Sequence, residues 1–258
     1  MLILKKNLKD ILIDHFDETE DQNLHQSGVK TIHPSLRSPY IALEKLLKSN
    51  DLNGKKVLDY CCGSGNFSIY PAKLGAKVTG VDFSEKSIEK AKIRALNFKV
   101  ENLCNFLSAD VEQIDSFEGG FDLIFIIDSL LYLDLKKTFK KFFKLLNDDG
   151  ELIIIEGLGN NPIFNLNRRK NINNYASGYE TVLAKKTLKE IYDGFDKIFF
   201  IEKENYFGFF TSVIYFLEKK FKIRINSNFF LFLDNKLTKL PFMRKYFFRC
   251  FLNLKKIK

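Results

Sequence analysis

The chain is predicted to be an α/β protein with a Rossmann-like, mostly parallel sheet and helices on both faces. Three observations predict this class. Short apolar strands alternate with helical segments between about residues 55 and 157, a glycine loop follows the first strand, and Phe121–Ile127 is an unbroken apolar run. Such a run is typical of a strand covered on both faces, and the alternation implies parallel pairing with right-handed crossovers.

The individual elements follow from local patterns. Apolar residues at helical spacing predict a helix over Ser38–Ser49, and Ser84 is a suitable N-cap for a helix over Glu85–Asn97. Further helices are predicted up to Lys73, over Leu135–Leu146 and over Thr187–Tyr192. Strands are predicted at Val57–Asp59, Lys77–Asp82, Asn105–Ala109, Phe121–Ile127, Glu151–Glu156, Lys197–Ile201 and near Phe247–Leu252. The segment from Asn160 to Tyr179 is polar and shows little periodicity.

Three regions are expected: a helical N-terminal segment (residues 1–50), a core (51–204) and a C-terminal extension (205–258) that completes the sheet. The extension is basic and rich in Phe. Residues 215–258 hold 12 Lys/Arg and 2 Asp/Glu, which gives this segment a net charge of +10. The whole chain has a net charge of +9, so all of the excess positive charge lies in this segment. A positive region attracts anionic partners such as lipid headgroups, nucleic acid or phosphorylated substrates.

The cysteines and the hydropathy exclude other classes. Cys61, Cys62, Cys104 and Cys250 show no zinc-type spacing, so no metal site is expected, and a reduced cytoplasmic compartment is favoured. The longest uncharged stretch near the C-terminus, residues 205–217, has 13 residues, whereas a spanning helix needs about 20. The N-terminus lacks the apolar run of a signal peptide. We therefore expect neither a signal peptide nor a transmembrane helix.

The motif Val57-Leu58-Asp59-Tyr60-Cys61-Cys62-Gly63-Ser64-Gly65 is the strongest functional signal. Glycines at a strand-to-helix turn let the backbone approach a ligand, and ligands of open α/β sheets lie at the carboxyl ends of the strands. Asp82 ends the second strand, where a carboxylate can accept both ribose hydroxyls. Asp110 follows the third strand and can accept from an adenine amine. These features predict a nucleoside-type cofactor.

Asp59 distinguishes between two such cofactors. A dinucleotide brings a pyrophosphate to this loop, which a carboxylate would repel, whereas S-adenosylmethionine brings an ammonium and a sulfonium. Ser68 also stands where GxGxxG would have its third glycine. Both observations favour S-adenosylmethionine.

Residues 55–157 resemble the class I S-adenosylmethionine-dependent methyltransferase family. VLDYCCGSG is similar to the family's VLDxGxGxG, with Cys61 where the family usually has glycine, and FDLIFIIDSLLYL resembles a later motif. The resemblance implies a seven-stranded sheet whose last strand is antiparallel. It places Gly63 and Gly65 at the methionine end of the cofactor, Asp82 at the ribose, and Phe83 and Asp110 at the adenine. The predicted cofactor-binding set is Asp59, Cys61, Gly63, Gly65, Asp82, Phe83, Asp110, Val111 and Asp128.

Candidates for the acceptor side are less specific. In methyltransferases of this type the N-terminal segment forms a lid over the cofactor, which would bring His25, His33 and Tyr40 to the site; the alternative for the histidines is the surface. Tyr132 and Glu156 lie near the cleft, and His33, Tyr132 and Glu156 are the catalytic candidates. Arg168 and Arg169 are candidates to clamp a phosphate or carboxylate, or are simply solvated. Methyl transfer needs mainly in-line approach and desolvation, so a dedicated base is not required.

The predicted function is transfer of a methyl group to an oxygen atom of a small or sugar-like acceptor. The basis is the overall layout, with an Asn-Pro/Arg segment and a Phe-rich ending, which resembles methyltransferases that modify bacterial surface polysaccharides or their phosphate or phosphoramidate decoration. Three interpretations of the basic aromatic extension stay open: core for a helical insert, contact with an anionic membrane, or stacking of RNA bases. The corresponding alternatives are a lipid or lipid-linked acceptor, an RNA acceptor, and a cofactor-binding module without catalysis. Nucleic acid is the least favoured partner. The expected location is the cytoplasm, with peripheral contact at the inner face of the membrane.

Overall fold

The structure is a computed structural model that describes residues 8–18, 23–113, 118–180, 183–226 and 228–257. Residues 1–7 and 19–22 of the expected N-terminal segment, and Lys258 of the extension, lie outside the described residues. The strands are β1 (Lys56–Tyr60), β2 (Lys77–Asp82), β3 (Cys104–Ser108), β4 (Phe121–Ile127), β5 (Leu146–Gly157), β6 (Phe199–Phe207) and β7 (Arg249–Lys256). The helices are α1 (Leu8–Glu18), α2 (Ser38–Ser49), α3 (Ile69–Lys73), α4 (Glu85–Asn97), α5 (Leu135–Leu145), α6 (Pro162–Tyr175), α7 (Leu188–Phe195), α8 (Thr211–Phe221), α9 (Asn228–Leu237) and α10 (Pro241–Arg244).

The seven strands form one sheet in the order β3-β2-β1-β4-β5-β7-β6. β1 pairs in parallel with β2 and with β4, whereas β7 lies antiparallel between β5 and β6. The predicted Rossmann-like sheet, with its last strand antiparallel, is therefore confirmed. The strand order reverses between β1 and β4, and the crevice outside the carboxyl ends of these strands is where ligands of open α/β sheets bind.

Side chains alternate between the two faces of the sheet and build one core on each. Val57 of β1 packs on the face that buries Leu43 of α2 and Ala91 of α4. Leu58, the next residue, packs on the opposite face, with Phe142 of α5 and other buried side chains. This period of two follows from the pleat of a strand, and because both faces are covered the central strands are apolar throughout. The carboxyl edge of the sheet is thereby held rigidly.

The N-terminal segment reaches the carboxyl edge, as a lid would. Leu8 and Leu12 of α1 lie over a cavity at that edge. Asp17 anchors the helix, because Oγ of Ser84, the N-cap of α4, donates to its carboxylate at 2.6 Å. α2 has the predicted bounds and packs against β6 and β7.

The polar segment after β5 contains a helix, α6, despite its weak periodicity. Asn161 is the N-cap, since its side chain accepts a hydrogen bond from the backbone of Ile163, and Pro162 occupies the first turn, where its missing N–H costs nothing. Only Phe164, Ile172 and a few other side chains of this region are buried. The capping residues determine this helix, which hydrophobic periodicity alone did not predict.

The C-terminal extension is a helical insert, α8–α10, between β6 and β7. The expected boundary after residue 204 falls inside β6, because this strand runs on to Phe207. Asp234 of α9 caps α8 from outside, accepting hydrogen bonds from the backbone of Phe210 and from Oγ1 of Thr211. Within the ranges described, no helix combines the length and hydropathy needed to cross a bilayer.

The interpretation of the Phe-rich extension as core is only partly correct. Phe247 and Phe251, at and beside β7, are buried. Eight of the sixteen large apolar side chains that are exposed in the described chain nevertheless fall within residues 213–242: Val213, Leu217, Phe221, Ile223, Phe229, Phe232, Leu240 and Phe242. The insert therefore presents an apolar surface to solvent.

Candidate functional site

The loop after β1 takes the backbone conformation that its glycines allow. Cys61, Gly63 and Gly65 have φ angles of 63°, 50° and 70°. A Cβ added at Gly63 would meet no atom within 4 Å, so this residue faces open space. A Cβ at Gly65 would lie 2.9 Å from Cβ of Ala91. Gly65, predicted to bind the cofactor, thus lets the loop pack on α4, and Gly63 is the glycine that lies at the cavity.

Asp82 connects this loop to the end of β2. Its Oδ2 accepts the N–H of Gly63 at 2.8 Å, and its Oδ1 accepts the N–H of Ser84 at 3.0 Å. Burial raises the pKa of Asp82 above its usual range, although these backbone donors act against the increase. The carboxylate is therefore held in a fixed orientation at the carboxyl edge of the sheet, where it can accept hydrogen bonds from hydroxyl groups of a ligand.

A cavity of about 400 Å³ lies at this edge and has the size of a small-molecule site. Asp82 and Phe83 form one part of its wall, and Asp110 and Val111 form another. The full lining comprises Leu8, Leu12, Cys61, Gly63, Asp82, Phe83, Ser87, Asp110, Val111, Glu112, Ser129, Tyr132 and Leu133. The wall combines three carboxylate side chains, those of Asp82, Asp110 and Glu112, with apolar side chains. This lining suits a nucleoside, whose hydroxyls and amine donate hydrogen bonds and whose ring can pack against Phe83.

Asp59 does not line this cavity. Its carboxylate is buried below the loop and accepts a hydrogen bond from Oγ of Ser68 at 2.5 Å. Burial, together with the neighbouring charge of Asp82, raises the pKa of Asp59 to about 7. The sequence argument placed Asp59 in contact with the cofactor, whereas the structure places it beneath the loop, hydrogen-bonded to Ser68.

Asp128, the first residue after β4, is the centre of a charged cluster beside the cavity. Its φ of 56° turns the side chain away from the strand direction. Oδ2 accepts a hydrogen bond from the hydroxyl of Tyr40 at 3.1 Å and lies 2.6 Å from Nη1 of Arg249. Oδ1 lies 3.6 Å from Nζ of Lys185. Tyr40 of α2 thus reaches Asp128, but neither residue lines the cavity, and Asp128 is held by protein cations.

Glu156, a predicted catalytic residue, is fully buried and already has partners. Its carboxylate accepts hydrogen bonds from the backbone of Leu130 at 2.8 Å and of Gly157 at 2.9 Å, and from Lys185 at 2.7 Å. Burial raises the pKa of Glu156, and Lys185 opposes that increase. The residue connects the ends of β4 and β5, and this geometry assigns it a positioning role instead of proton transfer.

Tyr132 lies in the cavity wall, in the short helical turn after β4, and is hydrogen-bonded to Tyr175 of α6. Burial, followed by the neighbouring Tyr175, raises the pKa of its phenol, so the hydroxyl stays protonated at neutral pH. Tyr132 donates its one phenolic proton to Tyr175, so it can offer a ligand only its hydroxyl oxygen, as an acceptor, and it is a poor base.

The two predicted histidines lie away from the cavity. His33 is the N-cap of the short turn Pro34–Leu36, and its Nδ1 accepts from the backbone of Ser35. Its ring packs on Tyr215, and 42% of the side chain is exposed. His25 is exposed in the loop that crosses α4, where the backbone of Leu24 accepts from Asn97. Local capping and loop packing determine both positions, so neither histidine is a base for this site.

The predicted arginine pair does not form a clamp. Successive helical residues point about 100° apart, so Arg168 of α6 turns inward while Arg169 is exposed. The guanidinium of Arg168 donates to the carbonyl oxygens of Leu158 and Phe248 and to Oδ1 of Asn165. Of the pair, only Arg168 belongs to the charged cluster.

Sequence reasoning missed several residues of the site, including Ser87, Glu112, Ser129 and Leu133 of the cavity wall. Leu8 and Leu12 close the cavity, and the amphipathic pattern of α1 would have identified them. Lys185 and Arg249 complete the charged cluster, and neither stands in a motif. No group of three or more His, Cys, Asp or Glu residues with the arrangement of a metal site occurs among the residues that the structure describes.

The strand order, the glycine loop and the acidic cavity wall together define the class of Rossmann-like methyltransferases. Residues 51–195 match a family model described as a methyltransferase domain. The chain belongs to this methyltransferase family. The class and the cofactor predicted from the sequence, S-adenosylmethionine, agree with this assignment.

Relatives of known name share the same region. The chain is 33% identical to YqeM of Bacillus subtilis (strain 168) over 133 residues, which cover 49% of this chain and 53% of that protein. It is 33% identical to a ubiquinone biosynthesis O-methyltransferase of Erwinia tasmaniensis over 106 residues, 40% of this chain and 43% of that protein. The match spans about half the length of these relatives.

A solved structure extends the likeness to the whole fold. Geranyl diphosphate C-methyltransferase from Streptomyces coelicolor A3(2), in complex with Mg²⁺, geranyl diphosphate and S-adenosyl-L-homocysteine, superposes with a TM-score of 0.65. The alignment covers 98% of this chain and 99% of that one, at 14% identity. This likeness confirms the Rossmann-like fold.

Proposed function

We propose that the protein transfers the methyl group of S-adenosylmethionine to an oxygen atom of a small-molecule acceptor. The observation that carries the proposal is the cavity at the β1–β4 crevice, where Gly63 and Asp82 lie together with Phe83 and Asp110. All four residues fall within the part of the chain that matches the methyltransferase family. The cofactor supplies an electrophilic methyl group on a sulfonium. The chain's own residues bind the cofactor, orient the acceptor and exclude water.

Each part of the cavity has a role in this proposal. Asp82 accepts the ribose hydroxyls and Asp110 accepts from the adenine amine, while Phe83 packs on the ring. Leu8 and Leu12 cover the cavity, and a desolvated site favours a reaction in which a positive charge is lost from sulfur. Tyr132 lines the cavity, and its hydroxyl oxygen can accept a hydrogen bond from the acceptor molecule.

No strong general base emerges from the predicted catalytic residues, because Glu156 is ion-paired and His33 lies outside. An acceptor of low pKa, or one already ionised, fits such a site best, since it needs orientation more than deprotonation. A phenol, a carboxylate or a phosphate-bearing sugar meets this requirement. The relative named for O-methylation supports oxygen as the methylated atom. A sugar-like surface-polysaccharide precursor is the acceptor that the overall sequence layout favours.

Thermal unfolding with S-adenosylhomocysteine, with NADH and without ligand tests the cofactor part of the proposal. A ligand at about 100 times its Kd stabilises the folded state by about 2.7 kcal/mol, which raises Tm by roughly 5–10 °C for a chain of this size. We expect this increase with S-adenosylhomocysteine alone. An increase with NADH alone would contradict the proposal.

A second candidate is a lipid or lipid-linked acceptor, methylated while the protein contacts the membrane surface. The observation that favours it is the exposed apolar surface of the insert, including Phe229, Phe232 and Phe242, within the segment that carries the excess positive charge. Lysines lie directly against such rings, as Lys236 does on Phe232. Aromatic rings beside lysines suit the interface of an anionic bilayer. We place the protein in the cytoplasm, in peripheral contact with the inner face of the membrane.

A further inference from the structure

Five charged side chains meet at the carboxyl ends of β4 and β5 and at the start of β7. They are Asp128, Glu156, Lys185, Arg168 and Arg249. Three cations face two carboxylates, so the cluster has a surplus of one positive charge in a largely buried position. A buried charge is costly unless an opposite charge or hydrogen bonds compensate it. One of the three cations therefore has no carboxylate of its own.

Two of the three cations are well accommodated. Nζ of Lys185 lies 2.7 Å from Oε1 of Glu156, which forms a direct ion pair. Arg168 donates to backbone carbonyls, including that of Leu158, and its guanidinium packs against the ring of Phe248 at 4.9 Å. The remaining carboxylate, Asp128, is shared between Lys185 and Arg249.

Arg249 is the cation with donors to spare. Its guanidinium lies against the rings of Tyr40, at 5.2 Å, and Phe248, at 5.5 Å, and these contacts restrict its orientation. Nη1 is 2.6 Å from Oδ2 of Asp128 but is not aligned for a hydrogen bond, and Nε has no acceptor among the described residues. Both nitrogens are buried. Burial lowers the pKa of Arg249 to about 10, which still leaves it charged at neutral pH.

A second buried donor faces the same space. Ser212, in the first turn of α8, is fully buried, and its hydroxyl has no hydrogen-bond partner in the described chain. Ser212 and Arg249 line one narrow cleft, whose open volume of about 10 Å³ is room for a single water. Ser38, Phe207 and Gly208 line both this cleft and a groove of about 590 Å³ between α2, β6 and α9. The cleft therefore leads from the charged cluster to an open groove.

We propose that Arg249 and Ser212 bind an oxyanion of the methyl acceptor, either a carboxylate or a phosphate, that enters from this groove. The inference rests on the proposed function, because it names the chemical class of that acceptor. The unpartnered Nε–H of the guanidinium and the serine hydroxyl supply two donors, and the positive charge of Arg249 strengthens its hydrogen bond to an oxyanion. The cleft must widen to admit the anion, and residues of the short segment Ser35–Pro39 line one side of it. The N–H groups at the start of α8 are not counted as donors, since Asp234 already accepts from Phe210 and Thr211.

Titration calorimetry of the full chain with inorganic phosphate, pyrophosphate and acetate tests this site. Each titration is run at constant ionic strength, with chloride as the reference anion, both with and without saturating S-adenosylhomocysteine. Phosphate and acetate separate the two oxyanion classes. The variants are Arg249→Gln, Arg249→Lys and Ser212→Ala, and the matched control is Arg169→Gln, which removes an exposed arginine from α6.

We expect at least one oxyanion to bind more tightly than chloride, and Arg249→Gln to weaken it at least tenfold. Arg249→Lys keeps the charge but not the Nε donor, and should retain part of the affinity. Ser212→Ala should weaken binding about threefold, whereas a purely structural serine would leave it unchanged. Arg169→Gln should change it less than twofold. Absence of oxyanion binding in the wild-type chain, or equal binding by Arg249→Gln, would overturn the inference. The Tm increase with S-adenosylhomocysteine is measured for every variant, so failure of the methyltransferase proposal is seen separately and a misfolded variant is recognised.

Discussion

The backbone N–H of Gly63 donates to Oδ2 of Asp82 at 2.8 Å and so joins the glycine loop after β1 to the end of β2. Two elements that are 19 residues apart in the chain are thereby fixed to one another on the wall of the cofactor cavity. The same carboxylate orients the loop and faces the space where the ribose is expected. The position of the glycine loop and the recognition of the ribose therefore both depend on the side chain of Asp82.

Asp82→Ala should weaken S-adenosylhomocysteine binding by 10- to 100-fold. The variant removes the acceptor for the ribose hydroxyls, and hydrogen bonds to a charged group each contribute about 1.5–3 kcal/mol. It also releases the N–H of Gly63. Calorimetric titration measures the effect, and Glu89→Ala on the exposed side of α4 is the control. Unchanged affinity in Asp82→Ala would show that this carboxylate does not contact the cofactor.

Cys61→Gly should stabilise the protein and leave S-adenosylhomocysteine binding equal or tighter. Cys61 has a φ of 63°, a left-handed conformation that costs a non-glycine residue about 1–2 kcal/mol. Glycine removes this cost, partly offset by greater freedom of the unfolded chain. An increase in Tm of roughly 2–4 °C is expected. Lys99→Gly is the matched control: Lys99 has a φ of 57° but lies away from the cavity, so it should raise Tm without altering the affinity. Loss of binding in Cys61→Gly would mean that the thiol takes part in the site.

Asp59→Asn should flatten the dependence of stability on pH. Burial raises the pKa of Asp59 from 3.8 to about 7, so between these values the unfolded chain loses the proton while the folded chain keeps it. The free energy of unfolding therefore falls as pH rises through this window, by on the order of 4 kcal/mol from this group. Urea unfolding at pH 4.5 and 7.5 measures the difference. Asp193→Asn, at an exposed position in α7, should behave as the wild type. A variant whose stability changes with pH as much as that of the wild type would refute the assignment.

Leu12→Asp should weaken S-adenosylhomocysteine binding by at least tenfold. Leu12 is buried in α1 and forms part of the apolar cover of the cavity, and burial of a leucine contributes about 1.5–3 kcal/mol. A carboxylate at this position is costly to bury, so it would favour a state in which α1 does not cover the cavity. Binding is measured by titration, with Asp14→Asn at an exposed position of the same helix as the control. Wild-type affinity in Leu12→Asp would show that α1 does not cover the bound cofactor.

The wild-type protein should float with anionic vesicles at low salt. Vesicles of phosphatidylglycerol and phosphatidylcholine, 30:70, provide the negative surface, and salt should weaken the association because it screens the lysines of the insert. Phe229→Ser with Phe242→Ser should reduce flotation severalfold, since both rings are more than half exposed. Leu96→Ser is the matched control, because Leu96 is 60% exposed on α4, outside the insert. Absence of flotation at low salt would remove the basis for a lipid-linked acceptor.

Much of the fold could be predicted because its signals are local. The apolar run of β4 and the bounds of α2 and α4 agree with the prediction. The errors occur where the signal is not local. β5 begins earlier than predicted, since Leu146 pairs with Phe121 of the neighbouring strand, and β6 extends to Phe207 through its pairing with β7. The helix α6 depends on its capping residues.

The sequence by itself determined the class of this protein, because a motif reports chemistry that lies within a few residues of chain. Gly63, Asp82 and Asp110 stand at strand ends, and any parallel sheet brings strand ends to one edge. The tertiary structure decided which charged residues form one cluster beside the cavity. Arg249 and Asp128 are 121 positions apart by their numbers and meet only because β7 inserts beside β5. Packing likewise decided which side chains are exposed to solvent. His33 and Arg169 face outward, whereas Lys185 is buried against Glu156 although it belongs to no sequence motif. Partners distant in sequence leave no local pattern, so only the folded chain identifies them.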